Sequence, residues 1–191
     1  MSPLPVLHPE VFFLPASAFR IRRGSALWLT LTGIFTAMNI VLSLSVFSIP
    51  VPGGHLYFCD AVINTAAMLL DPVAAFIVGG VGSFLGDFFF YPAPMFVSLL
   101  AHGLQGAAVS LLSRRLRPGR PMLASCAAAA VGSLIMVLGY TLGRAFVYST
   151  PEYALIKLPF EFLQAGFGAA VSIILLYPMR LKKVFEQSFR T

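Results

Sequence analysis

The stretch "VAAFIVGGVGSFLGDFFFY", residues 73–91, holds one charged residue and is closed off by Pro72 and Pro92. A helix needs roughly 20 apolar residues to cross the hydrocarbon of a bilayer. Five more apolar runs punctuate the chain: 26–48, about 57–70, 95–113, 122–148 and 157–179, with Pro and Gly at the junctions. In hydrocarbon a helix satisfies its own backbone whereas an open sheet does not. The fold class expected is therefore an all-α integral membrane protein of six transmembrane helices. The second run is short enough for a tilted or partly re-entrant helix. Composition agrees: 10% of residues are charged, where soluble domains have about 25%. The mean hydropathy is +0.87, more apolar surface than so short a soluble chain can bury.

Charge placement orients the spans. Lys and Arg accumulate on cytoplasmic loops. Arg20, Arg22 and Arg23 precede the first span, "RRLRPGR" joins the fourth to the fifth, and Arg180, Lys182, Lys183 and Arg190 follow the sixth. Only Arg144 and Lys157 fall on the other side. Both termini are expected in the cytoplasm of a prokaryotic cell, with the chain in the plasma membrane. This bias explains the net charge of +6 without nucleic acid as a partner. Residues 1–24 are read as an interfacial segment, 25–181 as the membrane domain and 182–191 as a basic tail. The apolar run after Arg23 is too long for a signal-peptide core, so it reads as a first helix. Cys59 and Cys126 suggest neither a disulfide framework nor a metal site; they read as small buried hydrophobes.

Given that orientation, the polar residues inside the spans collect near one face. His102 and Gln105 are three apart in the outer half of the fourth span. Tyr140 and Arg144 share a face near the outer end of the fifth, and Glu161 and Gln164 lie in the outer half of the sixth. Asp60 and Asn64 open the second span, with His55 and Tyr57 in the loop before it. Asp87 ends the third, and Asn39 in the first is a partial exception. Each such residue is either interhelical glue or part of a functional site. Glue has no reason to gather on one side, so the pattern points to an outward-facing pocket. Arg144 suits a carboxylate or phosphate, Glu161 and Asp60 an amine or ring N–H, and Phe88 to Tyr91 with Tyr140 a flat ring. A small polar heteroaromatic compound fits that set. Glu152 and Lys157 read as solvated loop charges. The glycines of the third span read as internal packing, whereas Gly33 and Ala37 could face a partner subunit.

Walker, zinc-protease and nucleophile-elbow motifs are absent, no catalytic constellation emerges, and the expectation is not an enzyme. The bare inner half disfavours a channel, and no internal repeat marks an alternating-access carrier. A pocket without a motor implies partners.

The stretch "GHLYFCDAVINTAAMLLDPVAAFIVGGVGSFLGDFFFYPAPMFVSLLAHGLQGAAVSLL" and the later "LPFEFLQAGFGAAV" resemble the substrate-binding S components of energy-coupling factor (ECF) vitamin transporters, of the riboflavin/hydroxymethylpyrimidine type. The features are Asp60 after the first loop, Gly86-Asp87 ending the third helix, and "HGLQG" in the fourth. The resemblance implies a pocket built by helices four to six and capped by the first loop. It also implies a membrane T component and two cytoplasmic ATPases, docked through small residues of helix one, where Gly33 and Ala37 stand. On this reading the ligand is a water-soluble vitamin or precursor, taken from outside without covalent chemistry or cofactor. His102, Gln105, Tyr140, Arg144, Glu161 and Gln164 would contact it, with His55, Asp60 and Asn64 at the lid. The rival reading is a structural membrane scaffold of the cell envelope, similar to MreD, with no small-molecule ligand.

Overall fold

The computed structural model describes residues 21–116 and 119–189. The N-terminal segment expected over 1–24 lies outside the described residues except for its last four. The described chain is helical apart from a small hairpin: α1 (Ala26–Leu42), β1 (Ile49–Val51), β2 (Gly54–Leu56), α2 (Cys59–Leu69), α3 (Pro72–Phe90), α4 (Met95–Arg115), α5 (Pro121–Tyr148), α6 (Pro151–Leu176) and α7 (Leu181–Ser188). Four of these, α3 to α6, are long and apolar enough to cross a membrane.

The first two expected spans are shorter than the sequence suggests. α1 ends at Leu42 rather than 48. The Ser43 hydroxyl donates to the Asn39 carbonyl, and a 3₁₀ turn over Ser45–Phe47 leads into the hairpin. Pro50 also disfavours helical backbone at the residue before it. α2 has only 11 residues, all of them buried, and at 1.5 Å per residue it is about 16 Å long. It packs on α1, α4 and α6, a central helix enclosed by its neighbours.

α3 begins at an Asp71 N-cap, whose carboxylate accepts from Val73 N–H and from the Trp28 indole. Burial raises the Asp71 carboxyl, but these bonds and the Arg23 guanidinium outweigh it and hold the group below the usual carboxylate range. A π-helical turn over Ile77–Val81 lets Gly79 and Gly80 meet the backbone of α4. A Cβ at Gly80 would lie 2.6 Å from the Leu99 carbonyl oxygen. These glycines pack within the chain, as expected. Gly33 and Ala37 are exposed on α1, and a Cβ at Gly33 would meet nothing within 4 Å.

The larger core lies at the end of the bundle where α1 starts. Trp28, Leu69, Leu70, Val109 and Leu176 meet there, and α7 folds back to bury Phe185 among them. The expected basic tail is thus partly an amphipathic helix. Of the two cysteines, Cys59 is buried as expected but Cys126 is exposed, because its position on α5 faces away from the bundle.

Candidate functional site

At the opposite end of the bundle is a cavity of about 260 Å³. Its walls come from α3 to α6, with Ser43 at the end of α1 and Cys59 at the start of α2, and the β1–β2 hairpin lies over it. The hairpin pairs Ile49 with Leu56 and Val51 with Gly54. Its turn needs Gly53, which has φ +81° and whose Cβ would come 3.1 Å from the Lys157 Cβ.

Two buried cations hold this hairpin down. Arg144 Nη1 donates to the Gly53 carbonyl at 2.9 Å, and Lys157 Nζ donates to the His55 carbonyl at 2.5 Å. Lys157 is 3% exposed, which corrects its reading as a solvated loop charge. The Thr150 cap and Pro151 start α6 six residues before Lys157 and turn that side chain inward. Glu152 is exposed, as expected. Arg144 also reaches Glu161 at 3.4 Å, and the other Glu161 oxygen accepts from Thr141 at 3.2 Å. The Arg144 guanidinium lies over the Tyr148 ring at 5.3 Å, while Arg144 Nε and the Tyr148 hydroxyl are buried without a hydrogen-bond partner among the described residues.

Behind the wall, Asp60 organises a second network. Its carboxylate is fully buried and accepts from Gln105 Nε2 at 2.8 Å and from Gln164 Nε2 at 2.7 Å. Each amide therefore turns its oxygen the other way. Gln164 Oε1 accepts from the Tyr57 backbone N–H at 3.0 Å, and Gln105 Oε1 lies 2.7 Å from His102 Nδ1. An amide oxygen only accepts, so His102 Nδ1 must carry the proton, and in the neutral ring Nε2 is left as an acceptor. One carboxylate thus sets the tautomer of a cavity-lining histidine. A third chain runs along the far wall: Tyr140 donates to Ser98 at 2.5 Å, and Ser98 donates to Asp87. Burial, with the Asp87 carboxylate second, pushes the Tyr57 hydroxyl up to about 12, so it is a neutral donor at the lid.

The cavity surface includes His102, Tyr140, Arg144, Glu161, Gln164 and His55. Gln105, Asp60 and Asn64 do not reach it; each has 0% exposure. Asp60 and Asn64 are not at the lid, because the loop ends before Cys59 and α2 runs directly into the centre of the bundle. Asn39 is glue: it donates to the Val78 carbonyl at 2.7 Å and to Ser83 at 3.2 Å, tying α1 to α3. The expectation that Phe88 to Tyr91 stack on a ligand narrows to Phe90 and Tyr91, which line the cavity. Sequence reasoning missed Lys157 and Tyr148. The signal was helical spacing, since 140, 144 and 148 follow one face of α5, and 157, 161 and 164 one face of α6.

Cys59, Asp60 and His102 bring ligand-type atoms within 4.8 Å of one another. Both Asp60 oxygens and His102 Nδ1 are already taken by the amides, so the set is wired for hydrogen bonding rather than for a metal.

A model of the ECF-type riboflavin transporter S component matches residues 25–183. The chain belongs to this family. The S component also resembles a solved structure described as the S component of a bacterial ECF transporter. The TM-score is 0.62 at 20% identity, over 83% of this chain and 97% of that one. An uncharacterised protein in the gap 3' region of Pyrococcus woesei is 31% identical over 136 residues, 71% of this chain and 88% of its own length. A UPF0397 protein of Streptococcus gordonii is 28% identical over 128 residues, 63% of this chain and 69% of its own. Family and fold are those of membrane transporter S components and not of enzymes.

Proposed function

We propose that this S component binds a small water-soluble vitamin or precursor from outside the cell, for ATP-driven import with a membrane T component and two cytoplasmic ATPases. The observation that carries the reading is the latched cavity: charged and amide groups of three helices converge under a hairpin held by Arg144 and Lys157. A scaffold has no use for such a chamber. His102, Tyr140, Arg144, Glu161 and Gln164 contact the ligand, His55 and Tyr57 close over it, and Asp60 and Gln105 position His102. The basic residues away from the cavity support six spans with both termini cytoplasmic and a cavity that opens at the outer face. The exposed Gly33 and Ala37 offer α1 a close-packing surface for the T component.

The cavity favours a compact ligand. At about 260 Å³ it lies just below the roughly 300–1,000 Å³ of typical small-molecule pockets. One substituted heteroaromatic ring fills that space, whereas riboflavin, with three fused rings and a sugar-alcohol chain, overfills it. Arg144 and Lys157 would meet an anionic or carbonyl oxygen, Glu161 a ring amine, and His102 Nε2 a donor.

Native mass spectrometry of the detergent-purified chain tests this, first as isolated and then with a panel of one-ring pyrimidine and pyridine alcohols, thiamine and riboflavin. A one-ring compound should be retained by the wild type and lost in Glu161→Ala and Arg144→Ala. Retention of riboflavin instead would overturn the size argument. No binding of any panel member by an empty wild type would favour the scaffold.

A further inference from the structure

The other end of the bundle holds a second cavity, larger and chemically unlike the first. Its volume is about 600 Å³. α1 contributes Trp28 here and ends at Ser43 in the first cavity; α2 contributes Leu69 here and Cys59 there; α4 contributes Leu111 here and His102 there. The two cavities therefore sit at opposite ends of the same helices.

Among the described residues four arginines line it, Arg22, Arg23, Arg114 and Arg115, with one carboxylate, Asp71. Asp71 is taken: Arg23 Nε donates to it at 2.8 Å, and the Trp28 indole N–H donates to its other oxygen. Arg114 is anchored from behind, donating to the carbonyls of Leu69 and Leu70 at 3.3 and 2.7 Å, at the end of α2. Arg22 and Arg115 are exposed at the rim. Positive charge at the rim thus exceeds what Asp71 offsets. The rest of the lining is apolar, with Leu70, Pro72 and Leu111 among it.

A basic rim over an apolar wall matches an amphiphile with an anionic head. Basic pockets between helices near the membrane surface take anionic lipid headgroups. A free phosphate ion would satisfy the arginines but leave Leu111, 39% exposed, uncovered. We infer that this pocket binds the phosphate of an anionic phospholipid, with Arg22 and Arg115 on the phosphate and the glycerol and first acyl carbons along Pro72 and Leu111. Bound there, the lipid fixes the depth of this end of the bundle independently of what the first cavity holds.

The test is native mass spectrometry of the full chain in detergent, titrated separately with phosphatidylglycerol, phosphatidylcholine and inorganic phosphate. Wild type is compared with the double variant Arg22→Gln/Arg115→Gln. A basic residue near an anionic headgroup contributes a factor of about five in affinity, so the double variant should hold phosphatidylglycerol about 25-fold more weakly. Phosphatidylcholine should bind weakly to both proteins. The single variant Arg115→Gln, expected to lose about fivefold, keeps the test readable if the double variant is unstable. Equal retention of phosphatidylglycerol by wild type and variants, or equal retention of the two lipids by the wild type, would overturn the inference. Binding of inorganic phosphate without lipid would overturn the lipid assignment. So would loss of a co-purifying protein from the double variant at unchanged lipid retention, which would make the pocket a protein-docking surface.

Discussion

The two ends of the bundle use arginine in opposite ways. At the hairpin end Arg144 is buried, and its contacts are a loop carbonyl, a glutamate and an aromatic ring. At the other end Arg22, Arg23 and Arg115 are exposed, and the Arg23–Asp71 pair is 61% exposed on the arginine side. A charge in water is cheap to keep and cheap to lose, whereas a buried one is costly unless every partner is in place. The hairpin end is thus a preorganised site that one substitution can wreck. The basic end is a field, which substitutions weaken by degrees.

The sharpest way to break that contrast is Arg144→Ala against Arg115→Gln. Losing Arg144 frees the hairpin at Gly53 and leaves Glu161 buried without its cation; removing one partner of a buried pair costs about 3–5 kcal/mol. Ligand affinity should fall by more than 100-fold, read by isothermal titration once the ligand is in hand, and Arg115→Gln should leave it unchanged. Next comes Gln105→Leu, which touches no ligand. It strips Asp60 of one of two amide donors and His102 of its Nδ1 acceptor, and each buried polar group left unpaired costs about 1–3 kcal/mol. The thermal midpoint should drop, and Gln105→Glu should not rescue binding, because a carboxylate cannot donate to Asp60.

Gly53→Ala is milder. It puts a Cβ at φ +81° and 3.1 Å from Lys157, a strain of about 1–2 kcal/mol. The strain sits in the lid, so ligand dissociation should quicken in stopped-flow measurements, while the thermal midpoint of the empty protein falls by only a few degrees. The smallest effect belongs to the basic end. Asp71→Ala loses an N-cap, about 1 kcal/mol, and Asp71→Asn should lose less because Asn still caps α3. The Asp71 carboxyl is held below the usual range in the fold. Its contribution is complete above the ordinary carboxylate pKa of about 3.9 and fades only as pH falls through the lower folded value. The wild-type melting midpoint should therefore drop below pH 4 by a component that Asp71→Asn lacks.

Much of this was legible in the chain itself, and for identifiable reasons. α3 to α6 carry long apolar runs between Pro and Gly breakers, and their bounds fall within a few residues of the expected ones except at the start of α6. There, Thr150-Pro151 begins the helix six residues early and carries Lys157 inward. α1 and α2 misled because apolarity measures what a segment tolerates, not how much of it is helix. The run 26–48 contains the 3₁₀ turn before the hairpin, and α2 is apolar because its neighbours enclose it. The pocket residues were legible as a set, since polar groups in apolar helices stand out. Their division into wall and backing was not: Asp60 and Glu161 are both acids in apolar helices, yet one is sealed behind two amides and the other lines the cavity.

The sequence by itself determined the solvent, the four long helices and the end at which polar groups gather, because bilayer thickness and hydropathy act on residues nearly one at a time. Only the tertiary structure decided which of those groups meet. That Arg144 and Lys157 close on carbonyls of a hairpin 91 and 102 residues away, and that Asp60 fixes the proton of His102 through Gln105, follow from how the helices converge. Hydrogen bonds are directional and of short range, so only packing brings such groups within reach of one another.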